Sequence, residues 1–397
     1  MTVTSSPPTL PPEHAPEGMR LAAVATTDPF DRRTFSGYSA ALFCQLAARG
    51  VTVVPVTSRQ IRARDLAGGA LHWRGILRGR IRGRRAPLID PDWYWSAPVV
   101  ERLSARASDR IAADGGITHA LQIGTHVCIE DDEITTCCVT DCTVVQAVEA
   151  GEFAISHATP AGVQRAIDWQ RRVFASCDTI LTTSRWAAAS VIGDFGQAPD
   201  RVVTIGAGAT NYGAPDPHRK PGGPPTVLFV GYDWDLKGGP LLLRAWRRVR
   251  RAIPDARLVI VGCKPQIDDA GVEIVGRLDP RVAEDRNRLI AIYASATCLA
   301  LVSDFDAFPN VVLEAGAMGL PVVAFDEQSR SEVLRDRETG LLVASHDAEA
   351  VARALCDLLG NPSVAAAMGR RARAQIEAEF TWDVVGTRVL AALGSGS

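Results

Sequence analysis

The chain alternates between two hydrophobic periods. Residues 19–26 (MRLAAVAT) form a short apolar run that ends in polar residues, and residues 36–50 follow with Tyr38, Leu42 and Leu46 at helical spacing and Gly50 as a stop. Residues 51–57 (VTVVPVT) read as a second strand, and strand, helix, strand with connections this short makes a right-handed parallel unit. Further strands are expected at 120–123, Thr135–Thr140, Thr179–Thr182 and 202–205, with helices over 161–175 and from Arg185. The alternation restarts with TVLFVG (226–231), a helix over 241–252, ARLVIVG (256–262), VEIVG (272–276) and a helix over 281–294. TCLALV (297–302), a helix from Pro309, PVVAF (321–325), TGLLV (339–343) and two final helices complete it. The pattern predicts an α/β protein with two doubly wound, Rossmann-like halves, each a parallel sheet covered by helices on both faces.

Three stretches interrupt that rhythm. Residues 1–18 hold five prolines and read as a disordered leader. Residues 213–225 hold five prolines and three glycines and read as a linker. The expected domains are therefore 19–212 and 226–382, with a last helix and tail over 383–397 packing back on the first domain. Within residues 73–85 a four-residue rhythm puts Trp73, Leu77 and Ile81 on one stripe, Arg74, Arg78 and Arg82 on another, and Gly75, Gly79 and Gly83 on a third. Each interior glycine costs about 1 kcal/mol relative to alanine, so this basic amphipathic helix is marginal in water. Two readings stand: a solvated arginine-rich loop, or peripheral contact with a membrane or an anionic acceptor.

Composition narrows the class. With 397 residues the chain is long enough for two cores, and 47% hydrophobic against 22% charged residues is a globular balance. A formal net charge of −2 supplies no global field for nucleic acid. None of the nine cysteines lies in a C-x-x-C pair, and adjacent Cys137 and Cys138 point to opposite faces of a strand, so reduced thiols are expected rather than zinc. With no signal-peptide pattern and no apolar run long enough for a membrane span, a cytoplasmic location is expected, with the inner membrane face as the peripheral option.

Doubly wound sheets bind ligands beyond the carboxyl ends of their strands, so the residues just after each strand carry the chemistry. After TVLFVG comes a polar loop with Lys237 beside Gly238 and Gly239 at a helix start, where free N–H groups, the helix dipole and an ammonium suit a diphosphate. The same triplet is also simply a good surface turn. After TCLALV come Asp306, Phe308, Pro309, Asn310, Val311 and Glu314. Pro309 suits a first helical turn, which sets Asp306 ahead of the helix mouth and Glu314 about one turn inside it. Ionised carboxylates grip sugar and ribose hydroxyls through charge-assisted hydrogen bonds. Glu314 lies among Val311, Val312, Leu313, Ala315 and Ala317, where a buried carboxylate without a task is costly.

The second half resembles the donor-binding domain of glycosyltransferase family 4, retaining enzymes of the GT-B fold. The matching text is VLFVG…KGG, P.ARLVIVG, V…GRL, LIAIYASA, FP.VVLEAGAMGLPVVA, SEV, TGLLV and F.W at Phe380 and Trp382. It spans about 160 residues in the family's order. The resemblance implies two Rossmann-like domains facing across an interdomain cleft. It gives Lys237 the donor's diphosphate, Glu314 the nucleotide ribose and Asp306 the donor sugar. It further places Gly231, Gly238, Arg277, Leu278, Phe308, Pro309, Asn310 and Val311 around the donor. Two departures stand out: Asp306-Ala307-Phe308 replaces Glu-Gly-Phe, one methylene shorter, and Tyr232 stands where the family often has arginine.

The first half resembles the family's acceptor domain more loosely. Ser36-Gly37 matches the glycine turn against the donor phosphates, with a plain helix cap as the alternative. Asp141 matches a position near the reacting centre, Ser184 is expected to cap a helix, and Gly206 begins a glycine turn ahead of the linker. The resemblance implies transfer of a hexose-type sugar from a nucleotide-diphosphate sugar, UDP favoured, with net retention and no metal or other cofactor. The acceptor is left open among a small metabolite, a lipid and a polysaccharide. The alternatives are a GT-B sugar-nucleotide epimerase or phosphorylase, and a non-catalytic nucleotide-sugar-binding protein. A nicotinamide-binding protein is disfavoured, since no G-x-G-x-x-G follows the first strand.

Overall fold

The computed structural model describes residues 18–31, 34–58, 89–210, 223–343 and 346–394. The 73–85 stretch, residues 1–17 of the leader and residues 213–222 of the linker lie outside them. The chain separates into two compact units: residues 1–207 with 382–397, and residues 208–381.

In unit 1 the order is β1 (Arg20–Ala25), a 3₁₀ turn (Thr34–Gly37), α1 (Tyr38–Ala48), β2 (Thr52–Thr57), α2 (Pro91–Tyr94), α3 (Ala97–Asp114), β3 (His119–Ile123) and β4 (Thr135–Thr140). There follow α4 (Val144–Glu149), α5 (Pro160–Ser176), β5 (Thr179–Thr182), α6 (Arg185–Gly193) and β6 (Val202–Thr204). Unit 2 contains β7 (Thr226–Val230), α7 (Gly239–Ala252), β8 (Arg257–Val261), β9 (Val272–Gly276), α8 (Ala283–Ser295), β10 (Cys298–Leu301) and α9 (Asn310–Ala317). It continues with β11 (Val322–Phe325), α10 (Arg330–Val333), β12 (Gly340–Val343), α11 (Ala348–Gly360) and α12 (Pro362–Glu379). The last helix, α13 (Trp382–Gly394), returns to unit 1.

Both sheets have six parallel strands, in the orders β2-β1-β3-β4-β5-β6 and β12-β11-β10-β7-β8-β9. Parallel strands buried on both faces need apolar residues throughout, which is why β10 and β11 are wholly buried. In unit 1, Val99, Leu103, Ala107 and Ile111 recur every fourth residue of α3 and cover Ala22, Val24, Val56 and Ala120. On another face of that sheet Trp169, Val173 and Phe174 of α5 pack with Cys138 and Ile180. In unit 2, Leu242, Trp246 and Val249 of α7 lie over Val227, Phe229, Leu258 and Ile260. Trp246 is fully buried, and its indole N–H donates to the Ala270 carbonyl at 3.3 Å. Truncating such a residue costs about 3–5 kcal/mol.

Two expectations change here. Three helices close the chain rather than two, because Pro362 opens a helix directly after Asn361 ends α11. Helix α3 fills a region that the hydrophobic rhythm had left blank. The cysteines form no disulfide; Cys128, Cys137, Cys138, Cys177 and Cys298 are buried, and Cys44 is exposed. Burial pushes the Cys137 and Cys298 thiols up to about 12, so both stay protonated at neutral pH. No helix among the described residues is long and apolar enough to cross a membrane.

Candidate functional site

In unit 2 the strand order reverses between β7 and β10, which are hydrogen-bonded neighbours. A crevice at the carboxyl end of a sheet forms at such a reversal, so the loops after β7 and β10 define the site. The loop after β7 is built on glycine. Gly262, at φ +98°, crosses so near Gly231 that a Cβ would come 2.5 Å from the Gly231 carbonyl oxygen. Gly238 has φ +75°, and a Cβ there would overlap the Val302 carbonyl oxygen just past β10. Only glycine adopts that turn and lets the start of α7 press on the next strand. Between them, Asp233 Oδ1 accepts from the N–H groups of Asp235 and Leu236 at 3.0 and 3.1 Å and rounds the loop. No side chain caps α7; its first amides are met by the backbone instead, the Gly239 N–H by the Trp234 carbonyl at 2.8 Å and the Leu241 N–H by the Gly238 carbonyl at 3.1 Å, and Pro240 has none, so what the helix start offers an anion is its dipole.

Lys237 and Asp306 meet at this point: Nζ lies 2.7 Å from Oδ2, with both side chains about one-fifth exposed. They are 69 residues apart in sequence and adjacent because β7 and β10 are adjacent. The ammonium also lies 5.8 Å from the centre of the Tyr232 ring, and Tyr232 is 74% exposed. Glu314, in the second turn of α9, accepts from the Tyr293 hydroxyl at 3.1 Å, and Tyr293 is itself buried on α8. Glu314 is half-buried rather than fully enclosed, because the apolar residues around it face the opposite side of the helix. Pro309 is the residue before the helix, at φ −82° and ψ 83°, and Asn310 is the first helical one. The proline ring fixes φ but does not carry the helical ψ, so the helix opens one residue later than expected.

The remaining expected residues fall around this centre in part. Phe308 is buried, Asn310 and Val311 are half-buried at the α9 start, and Gly231 directly follows β7. Arg277 is exposed and Leu278 half-buried in the loop after β9, two strands from β7. Asp279 in that loop is held well below the usual carboxylate range by Arg281. Ser36, Gly37 and Asp141 belong to unit 1. There Gly37, at φ +88°, opens α1, as Gly238 opens α7. The next residue, Tyr38, is buried, donates to the Gly206 carbonyl at 3.2 Å and packs edge-on to Trp382 at 5.2 Å. Burial first and the Asp141 charge second raise the Tyr38 hydroxyl above the ordinary tyrosine range, which keeps it a neutral donor. Ser184 caps α6 by accepting from the Ala187 N–H at 3.0 Å.

The residues that build this site from behind carry no motif. Gln328 and Ser329, between β11 and α10, and Arg330, the first residue of α10, bind the loop after β10 at four points. Arg330 Nη2 donates to the Ser303 carbonyl at 2.7 Å, and Gln328 Nε2 to the Asp304 carbonyl at 2.9 Å. The Asp306 N–H donates to Gln328 Oε1 at 3.3 Å, and Ser329 Oγ to the Ala307 carbonyl at 2.6 Å. His346 adds a bridge, its ring nitrogens 3.0 Å from Asp304 Oδ1 and 2.5 Å from Glu327 Oε1. Tyr293 lies in the matching stretch LIAIYASA, yet nothing there marks it as the partner of Glu314.

The site lies within the segment that known families match. Residues 224–361 match the model described as "Glycosyl transferases group 1". Among curated proteins, the D-inositol 3-phosphate glycosyltransferase of Nocardia farcinica is 33% identical over 243 residues, covering 56% of this chain and 53% of the relative. The chain thus spans little more than half the length of this relative. Sucrose-phosphate synthase from Thermosynechococcus elongatus superposes with a TM-score of 0.68 at 18% identity, over 94% of this chain and 97% of that one. The Anabaena protein HepE, solved in complex with UDP and glucose, gives 0.58 at 12% identity over 95% and 100%. The fold is that of GT-B glycosyltransferases, and unit 2 carries a group 1 glycosyl transferase segment with relatives named glycosyltransferases.

Proposed function

We propose that the protein is a retaining glycosyltransferase that moves a hexose-type sugar from a nucleotide-diphosphate sugar, UDP-linked in the first instance, to an acceptor hydroxyl without a metal ion. The observation that carries this reading is the Lys237–Asp306 pair at the β7/β10 reversal, beside the start of α7 and inside the matched segment. Support for the uridine nucleotide comes from the Anabaena neighbour, whose solved complex holds UDP and glucose.

In this reading Lys237 and the α7 N-terminus stabilise the diphosphate as it leaves, a contribution that grows as charge develops on the leaving oxygen. Asp306 accepts from sugar hydroxyls, and Glu314, steadied by Tyr293, accepts from the ribose. The acceptor oxygen forms its bond to the anomeric carbon on the face from which the diphosphate departs, and a diphosphate oxygen takes the acceptor's proton. The acceptor is a small metabolite, a lipid or a polysaccharide; the inositol phosphate in the Nocardia relative's name makes a phosphorylated polyol the first to try.

A thermal-shift screen of nucleotide sugars tests the donor, because a ligand that binds only the folded chain raises its melting temperature. UDP-glucose is expected to raise it as much in EDTA as in magnesium. Proton NMR of the product of a successful acceptor should show the donor's anomeric configuration kept. No stabilisation by any nucleotide sugar, or an inverted product, would refute the reading.

A further inference from the structure

Arg330 has no exposed surface, yet it carries a guanidinium. It is the first residue of α10, and its Nη2 holds the carbonyl and, at 3.2 Å, the hydroxyl of Ser303. Nη1 is 3.6 Å from Glu327 Oε2, and among the described residues neither Nε nor Nη1 has a hydrogen-bond acceptor. A buried cation with two unsatisfied nitrogens is a poor strut, since an apolar side chain of similar volume would fill the place at lower cost. What surrounds it is acidic. Burial lowers the guanidinium's pKa below the ordinary arginine value, while Asp306, Glu327 and Asp304 act in the opposite direction. Three carboxylates therefore share this one buried charge, and the first of them is the residue paired with Lys237.

The arrangement matters when a diphosphate arrives. Lys237 is a flexible ammonium drawn toward the phosphates, and Asp306 then faces new negative charge with Asp304 and Glu327 already nearby. Arg330 is fixed beneath the loop and stays. Gln328 contributes without charge: it holds the Asp304 carbonyl and the Asp306 N–H from a backbone at φ +52°, a conformation uncommon for a residue other than glycine.

We infer that Arg330, seconded by Gln328, is a positioning residue that holds Asp306 in place for the donor's sugar once Lys237 is engaged by the diphosphate. Neither side chain touches the donor; both act through the Ser303–Ala307 backbone. The inference rests on the nucleotide-sugar reading above and assigns the sugar half of the donor, rather than the nucleotide half, to this clamp.

The test separates those halves. Calorimetric titration of UDP and of UDP-glucose gives, for each protein, the ratio by which the sugar alters affinity; GDP and GDP-mannose serve if the guanine pair stabilises the wild type instead. In Arg330→Met the UDP affinity should stay within about twofold while UDP-glucose weakens by about tenfold, and Arg330→Lys should recover part of that loss. The melting temperature of Arg330→Met should be no lower than that of the wild type. Gln328→Ala, which leaves the buried charge in place, should change the ratio in the same direction by about threefold. Parallel loss of both ligands together with a lower melting temperature would make Arg330 a plain strut and overturn the inference. So would an unchanged ratio in both variants. Wild-type protein that binds neither nucleotide pair would overturn the functional reading itself, and the inference with it.

Discussion

The two units open their first helix with the same backbone device and load it differently. Both α1 and α7 follow the first strand of a sheet, and both begin at a glycine in the left-handed region, φ +88° at Gly37 and φ +75° at Gly238, with no side-chain cap. Ahead of Gly238 stands Lys237, paired with Asp306 and backed by Arg330. Beyond Gly37 stands Tyr38, neutral and buried, with Phe35 lying against Gly124 in the same turn. One site is organised by charge and the other by aromatic packing and a hydroxyl. The turn alone is therefore a scaffold, and the side chains beside it decide what it can receive.

This contrast can be broken most severely at the glycines. Gly238→Ala combines a strained φ with overlap against Val302 and should cost about 3 kcal/mol or more, read as a lower urea midpoint. Gly37→Ala pays chiefly for its φ and should cost about 1 kcal/mol. Equal losses would mean that the close approach to β10 contributes nothing. Next in size, Lys237→Met should weaken UDP by about a hundredfold, the scale of a charge-assisted hydrogen bond to phosphate, while stability changes by less than about 1 kcal/mol. Retained UDP affinity there would remove the charge assigned to unit 2. Glu314→Gln should weaken UDP by about tenfold by halving the carboxylate's acceptors, and loss of the Tyr293 hydroxyl in Tyr293→Phe should act in the same direction but less. Smallest, Tyr38→Phe removes only the bond to Gly206 and should cost about 1 kcal/mol of stability with UDP affinity unchanged. A drop in UDP affinity would tie the turn of unit 1 to the nucleotide, the role the resemblance implies for Ser36 and Gly37.

Much of this was legible in the chain, unevenly. The strands of both sheets were, since a parallel strand must be apolar throughout and bounded by turns; Thr135–Thr140, Thr179–Thr182 and Val272–Gly276 end where their patterns end. Lys237 and Asp306 were legible because each directly follows a strand, and strand ends at a reversal converge whatever lies between them. Helix α3 was not, as its Ser104, Arg106, Ser108 and Asp109 dilute a stripe that its burial reveals. The clamp from Gln328 to Arg330 was illegible for a different reason. It reads as a polar loop, all but one of the bonds described go to main-chain atoms 22 to 27 residues away, and main-chain partners leave no mark on sequence. Nothing in the sequence marks Arg330, and only the packing of α10 shows that it is buried.

The return of α13 to unit 1 sets an order of events during synthesis. Unit 2 is one unbroken stretch and holds all its strands once residue 381 has left the ribosome. Unit 1 was made earlier but must wait: Tyr38 lacks Trp382, and Arg49 and Gln45 lack Asp383, until the last helix emerges. Gly386 then lets that helix settle on α1, where a Cβ would come 2.8 Å from Gln45 Cγ. Domains usually fold in the order they appear. Here the half that is translated first is the half that finishes last.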